Sequence, residues 1–464
     1  MKKPWSPLIT VTLVFALFGC GGGGSSNVMQ PTGTSQMSSV FLVGEDAPAP
    51  LPSVLAFNVM ITGLSLNSST GSAQALTGPV TVDFVRLLGL RTLIGFNSIP
   101  VGTYTSATVM LQSPVISFLD LTTAPPSVGT LDGTLTNSTV TVALAHPLEV
   151  TANGLAGLHM EFDLRQSLQV DGSGNLTGVV NPNIDLRPVN AGDDDAEIDE
   201  LRGGLVSVNL SGNSFVIQRP GGHQVTIDVD SNTRFNGNNS LGSLVPPAVI
   251  EVDGRVQDDG SILARFVEVV STERAFIMGH IINVSPSSGP AATITLLVGE
   301  ELPDLSGIPV GFPVTLDVSS VTRYGIRDID NPFTNFIFNN SEMVLGQRVA
   351  VGGDLNTSTN PATFVPQRIV LRRQGVEGML VQGSVNIISG NLGDFQLQNN
   401  GLLGLVLGTP LQVNTSDGTN FVNINGLAGL QGAGAARVRT AGLVLKNNVS
   451  NAPEMFAWNV QVLP

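Results

Sequence analysis

One segment of this chain occurs three times, and that repetition constrains the fold more than any other feature. Val225-Thr226-Ile227-Asp228-Val229-Asp230-Ser231-Asn232-Thr233-Arg234-Phe235 returns about ninety residues on as Val314-Thr315-Leu316-Asp317-Val318-Ser319-Ser320-Val321-Thr322-Arg323-Tyr324. A third, eroded copy is Leu411-Gln412-Val413-Asn414-Thr415-Ser416-Asp417-Gly418-Thr419-Asn420-Phe421. Flanking segments align as well. Residues 203–208, 278–284 and 382–387 open the three units, and 249–256 corresponds to 348–355. A chain that repeats at this interval is built from tandem modules, so units are expected at 201–273, 274–374 and 375–464, the last degenerate.

Each unit holds five or six short stretches of alternating apolar and polar residues, with glycines where a small sheet must bend sharply. That pattern predicts three compact β-barrels resembling the OB type. The units resemble a family of bacterial modules of unknown function, small β-barrels found in tandem in exported proteins. The third copy departs from the pattern, since Asn420 stands where the others carry arginine. Two explanations of the Thr-Arg-aromatic motif are weighed. As ligand contacts, Arg234 and Arg323 beside Phe235 and Tyr324 would pair with a carboxylate or stack on a sugar ring. As structure, Asp228 or Asp317 would pair with a neighbouring arginine while the aromatic plugs the barrel. The structural explanation is favoured, because repeated modules repeat their core first.

Upstream, residues 40–190 carry strand patterns at 54–61, 80–84, 104–111 and 138–144 separated by turns rich in Gly, Pro, Ser and Asn. Strands at this spacing without helical periods predict an antiparallel β-sandwich, so the fold class is all-β, a sandwich followed by three barrels. Tyr104, just after the turn Pro100-Val101-Gly102, is expected to bury its ring and direct its hydroxyl to a backbone group. Asp83-Phe84-Val85-Arg86-Leu87-Leu88-Gly89-Leu90, the Pro-x-Gly-x-Tyr turn and Asn181-Pro182-Asn183-Ile184-Asp185-Leu186 resemble a bacterial lipoprotein domain family of unknown function, whose fold is similar to transthyretin-like sandwiches.

Two polar clusters invite a metal. In Leu158-His159-Met160-Glu161-Phe162-Asp163-Leu164 the strand period places His159, Glu161 and Asp163 on one face. Positions four apart on a strand are roughly 13 Å distant, too far to share one ion, so a solvated polar face is expected. Asp193, Asp194, Asp195 and Glu197 head a run of carboxylates that could hold calcium, but no Asp-x-Asp-x-Asp-Gly loop is present. A self-repelling acidic linker at 191–200 is therefore expected, with no metal.

The N-terminal region supplies an address. Lys2 and Lys3 precede an apolar run, residues 8–19, too short to span a bilayer, which reads as a secretory signal over 1–19. Leu17-Phe18-Gly19-Cys20 resembles the lipobox of bacterial lipoproteins. That resemblance implies cleavage before Cys20, lipidation of this single cysteine, and anchoring through its acyl chains, with sorting to the outer membrane. A thiol with no partner elsewhere in the chain cannot form an internal disulfide, which fits that use. Residues 20–39 read as a flexible tether.

The formal charge is −15, and loss of Lys2 and Lys3 with the signal makes it −17, so the mature chain would repel phosphate backbones and nucleic acid is not an expected partner. No Gly-x-Ser-x-Gly elbow, zinc-protease helix, phosphate loop or dinucleotide fingerprint occurs, and the carboxylates of the strands look solvent-facing. No cofactor is expected. The leading expectation is a non-catalytic, lipid-anchored envelope protein that binds or scaffolds another envelope protein or a glycan. A carbohydrate-binding accessory lipoprotein and a hydrolase with an unrecognised site are the alternatives.

Overall fold

The structure, a computed structural model, describes residues 36–463 apart from 48–52, 77, 88–90, 121–126, 153, 192–195, 220–221, 238, 272–274, 303–307, 309, 328–335, 357, 359–362, 400–403, 405–406 and 408. Cys20, the signal segment, most of the tether, and Asp193, Asp194 and Asp195 lie outside the described residues. The fold is all-β, in several sheets that form a sandwich and small barrels.

In the first region a four-stranded sheet runs in the order Ile184–Asn190, Leu155–Asp163, Met37–Ala47, Thr92–Pro100. The opposing sheet is built on the long strands Val54–Ser68 and Gly102–Asp120, which pair with each other and carry Gly71–Leu76, Val80–Asp83, Ser127–Asp132 and Thr139–Val150 at their sides. Alternate residues of the two sheets meet in one core. Phe57, Val59 and Ile61 come from one side and Leu158, Met160 and Phe162 from the other, with the Phe162 ring 5.3 Å from Phe57 and 4.9 Å from Phe84. Tyr104 is buried and its hydroxyl donates to the Pro100 carbonyl at 2.7 Å, as expected.

Two expectations for this region need correction. The sandwich is not wholly antiparallel, because Met37–Ala47 runs parallel to Leu155–Asp163. That strand also begins inside the expected tether. It shows no alternation because both its faces are covered: Val40 and Leu42 enter the sandwich core, while Phe41 and Val43 enter a cluster shared with the first barrel.

The repeats share one connectivity. In the first barrel the strand order is Gln224–Asp228, Ser214–Gln218, Glu197–Asn209, Val249–Val256, Ile262–Ser271, Arg234–Phe235, and Gln224–Asp228 also pairs with Ile262–Ser271. The second follows the same order with Pro313–Asp317, Thr293–Leu302, Ala275–Ser285, Arg348–Asn356, Thr363–Arg372 and Arg323–Ile326. In the third, Leu392–Asn399 pairs with both Gln374–Leu380 and Leu411–Thr415, and Leu411–Thr415 with Pro453–Val462.

A glycine recurs at the same bulge. Gly254, Gly353 and Gly442 each sit at a register shift, where an added Cβ would lie 2.4, 2.2 and 2.2 Å from the carbonyl oxygens of Leu263, Val365 and Phe456. No side chain fits there, so the glycines are what allow each small sheet to turn back on itself.

The acidic linker does not hold over its second half. Residues 197–200 belong to the strand Glu197–Asn209, the first of the first barrel, and Glu200 is buried. Their charge is neutralised by arginines rather than by water.

Candidate functional site

The short strand carrying the Thr-Arg-aromatic motif does the same job in each barrel. Arg234–Phe235, Arg323–Ile326 and Asn420–Val422 each pair in parallel with the last strand of their unit. Thr233 Oγ1 donates to the Ala264 carbonyl at 2.7 Å, and Thr419 Oγ1 to the Ala457 carbonyl at 2.8 Å. Phe235 and Tyr324 pack against their barrel cores, and the Tyr324 hydroxyl donates to the Val318 carbonyl at 3.0 Å. The motif therefore latches a barrel edge, which explains why it recurs, and the arginines Arg234 and Arg323 are exposed. Among the described residues the Asp-Arg pairing expected with it does not form. Asp228 accepts from the Ser261 hydroxyl, and Asp317 from the amide and hydroxyl of Ser319 at 3.0 and 2.6 Å.

Between the first two barrels lies a cluster of ion pairs. In Val249–Val256, Ile250 and Val252 point into the barrel, so Glu251 and Asp253 point out of it, onto the second barrel. Arg327 and Arg372, both 0% exposed, meet them. Arg327 Nε lies 2.7 Å from Glu251 and its Nη2 donates to Asp253 at 2.9 Å. Arg372 Nη1 donates to Glu251 at 2.9 Å and to Glu268 at 2.7 Å. Arg348 holds Glu200 through two hydrogen bonds of 3.0 and 2.7 Å, and Arg202 reaches Glu200, Glu251 and Glu300. Burial alone would raise the Glu200 carboxyl, but Arg348, then Arg202 and Arg327, hold it well below the usual range. Around these charges Val249, Val270, Phe276, Met278, Leu302, Ala350 and Val370 form an apolar seam. The strand carboxylates that looked solvent-facing are thus among the most buried groups of the molecule.

A second charged cluster joins the sandwich to the third barrel. His159 is only 2% exposed, with Nε2 3.1 Å from Glu45, so the solvated face expected for it is covered. Arg91 and Arg439 reach the same carboxylate at 3.2 and 3.3 Å. Burial raises the Glu45 carboxyl, but the His159 hydrogen bond and the two arginines outweigh it and bring it to about 2. Glu197, the described member of the calcium candidates, lies 3.3 and 3.5 Å from Arg255 and Arg265. Among the described residues no group of three or more His, Cys, Asp or Glu side chains is placed to hold a metal.

A concave site with convergent polar groups lies elsewhere. A cleft of about 350 Å³ opens between the sandwich and the first barrel. Its sandwich wall is apolar, made of Leu76, Val80, Leu93, Ile94 and Phe96; its barrel wall carries Arg219, His223, Gln224, Thr226, Asp228, Asp259 and Ser261. The Phe96 ring lies against Gly260, which has φ of +86° and leaves no room for a side chain. His223, Gln224, Thr226 and Asp259 are exposed at the rim, whereas Ser261 is buried and Asp228 half-buried. None of Arg234, Phe235, Arg323 or Tyr324 lines the cleft. Asp228 and Thr226 belong to the repeated segment, but no sequence signal points to the opposite wall, which comes from another module.

Residues 40–178 match a family model described as a domain of unknown function, DUF4382, and residues 203–268 match a second, described as a domain of unknown function, DUF5666. No curated protein matches the chain. The two matches cover the sandwich and the first barrel, the two walls of the cleft.

Proposed function

We propose that this chain is a non-catalytic lipoprotein of a bacterial envelope, held by acyl chains on Cys20 at the outer membrane and acting as a rigid scaffold that binds an envelope protein or glycan. The observation that carries the reading is that the modules are joined by buried charge. Ion pairs cross from sandwich to third barrel and from first barrel to second. An interface held by buried bidentate pairs and an apolar seam resists hinge motion, unlike the small polar contacts of mobile domains. A platform of that kind suits presentation of a binding surface. The lipobox resemblance supplies the anchor, and the likeness of the sandwich to transthyretin-like domains concerns fold alone.

The reading is tested at Cys20. Mass spectrometry of the chain purified from membranes is expected to find a diacylglyceryl thioether and an acylated amine on Cys20, with residues 1–19 removed. Cys20→Ser is expected to leave the membrane fraction. An unmodified thiol on a membrane-free protein would overturn the anchor.

A further inference from the structure

The cleft between the sandwich and the first barrel holds a cation that has no ion-pair partner among the described residues. Arg219 is half-buried, and among the described residues it makes no ion pair. Among the described residues none of the carboxylates near it pairs with it. Glu300, the favourable charge that acts on Arg219, is already held by Arg86 at 2.7 Å and by Arg202. Asp228 accepts from the Ser261 hydroxyl, and Asp259 from the Ser261 amide at 3.0 Å. Burial and the nearby Arg86 push the Arg219 guanidinium down to about 10, against the weaker pull of Glu300. A guanidinium partly withdrawn from water without a counter-ion loses hydration that no partner replaces, and clefts that bind ligands are where such groups are found.

The lining selects the chemistry of the missing partner. Arg219 is one cation in a lining that also carries Asp228 and Asp259, so a phosphate ester, with its ~2 negative charges at pH 7, is repelled more strongly than a single carboxylate. A single carboxylate matches the guanidinium fork. Asp228 and Asp259 then call for donors, which hydroxyl groups supply, while Gln224 and Thr226 donate and accept. Leu93 and Phe96 on the opposite wall suit the C–H face of a small ring or chain, and the volume lies at the low end of the ~300–1,000 Å³ of small-ligand pockets. We propose that this cleft binds a hydroxylated monocarboxylate, the chemistry of a sugar acid, with Arg219 as the carboxylate clamp and Asp228 and Asp259 as hydroxyl acceptors.

The proposal rests on the reading of the chain as a binding protein, and it is independent of the anchor. It is tested by calorimetric titration of the detergent-purified full chain with galacturonate, glucuronate and gluconate, against galactose and galactose 6-phosphate. At least one of the three acids is expected to saturate, with galactose and the phosphate ester binding at least about tenfold more weakly, the worth of one charge-assisted hydrogen-bond pair. Arg219→Gln is expected to lower affinity for that acid by about tenfold or more and leave its melting temperature unlowered. Thr226→Trp, which fills the cleft from its exposed rim without touching the ion pairs, is expected to abolish binding. No saturation by any of the three acids at about 10 mM, a preference for the phosphate, unchanged affinity in Arg219→Gln, or retained binding in Thr226→Trp would each overturn the site. Failure of Cys20 lipidation would leave these outcomes untouched, so the two readings fail separately.

Discussion

The first barrel has two neighbours and treats them differently. Against the second barrel it sets Glu251, Asp253 and Glu268, and each meets an arginine of that barrel: Arg327 and Arg372, with no exposure at all. Against the sandwich it sets Arg219, which meets an opening and no carboxylate partner among the described residues. Both boundaries bury charge, but only one completes it. Charge that is matched within the fold stiffens a joint, whereas a charge left unmatched beside a cavity is open to a partner from outside the fold, as proposed for the cleft.

The contrast can be broken first at its strongest point. Arg372→Met leaves Glu251 and Glu268 short of a buried partner and is expected to destabilise the chain by about 3–5 kcal/mol in urea melts. Arg219→Gln removes an uncompensated cation and is expected to cost nothing. If both substitutions cost the same, matched and unmatched boundaries are not different in kind.

The joint to the third barrel gives the next largest effect, and a pH signature. Glu45 falls from 4.5 to about 2 in the folded chain, so it contributes stability above pH 4.5 that is lost as pH drops toward 2. Glu45→Gln is expected to cost about 3 kcal/mol at pH 7 and nothing near pH 2. Asp83 sharpens the comparison with the opposite sign. Burial lifts its carboxyl from 3.8 to about 6, against the Phe57 amide bond of 3.0 Å and Arg86, so its ionisation weakens the fold as pH rises through that range. Asp83→Asn keeps the acceptor for Phe57 and is expected to raise stability at pH 7 by about 2–3 kcal/mol, with no gain below pH 4, as denaturant melts at the two pH values would record. Glu197→Gln removes pairs to half-exposed Arg255 and Arg265 and is expected to cost less than about 1 kcal/mol. A larger loss would mean that exposed pairs also lock the modules.

The repeats were legible because they recur in core positions. Val225 to Phe235 and its copies carry the barrel alternation, and Gly254 and Gly353 hold the same place in the aligned stretches 249–256 and 348–355, so the repetition of a strand pattern could be read directly. The partners across each boundary could not. Alternation tells which residues share a face, and it is silent on whether that face meets water or another module. His159, Glu251 and Glu268 are polar residues between apolar ones, the same pattern a solvated strand would have, yet their far side is covered. For the same reason Met37–Ala47, apolar on both faces, gave no strand signal. Arg219 and the Leu93 to Phe96 wall are distant in sequence and belong to different modules, so the cleft had no local signature.

Glu45 and Arg439, 394 positions apart, share an ion pair. Since synthesis runs from the N-terminus, the acid emerges almost first and the base almost last. Until the final barrel is made, the opening module carries a half-finished polar seam of Glu45 and His159, and only a full-length chain can close it. A chain cut short of Arg439 would leave Glu45 with Arg91 and His159 alone, one cation fewer than the complete fold supplies.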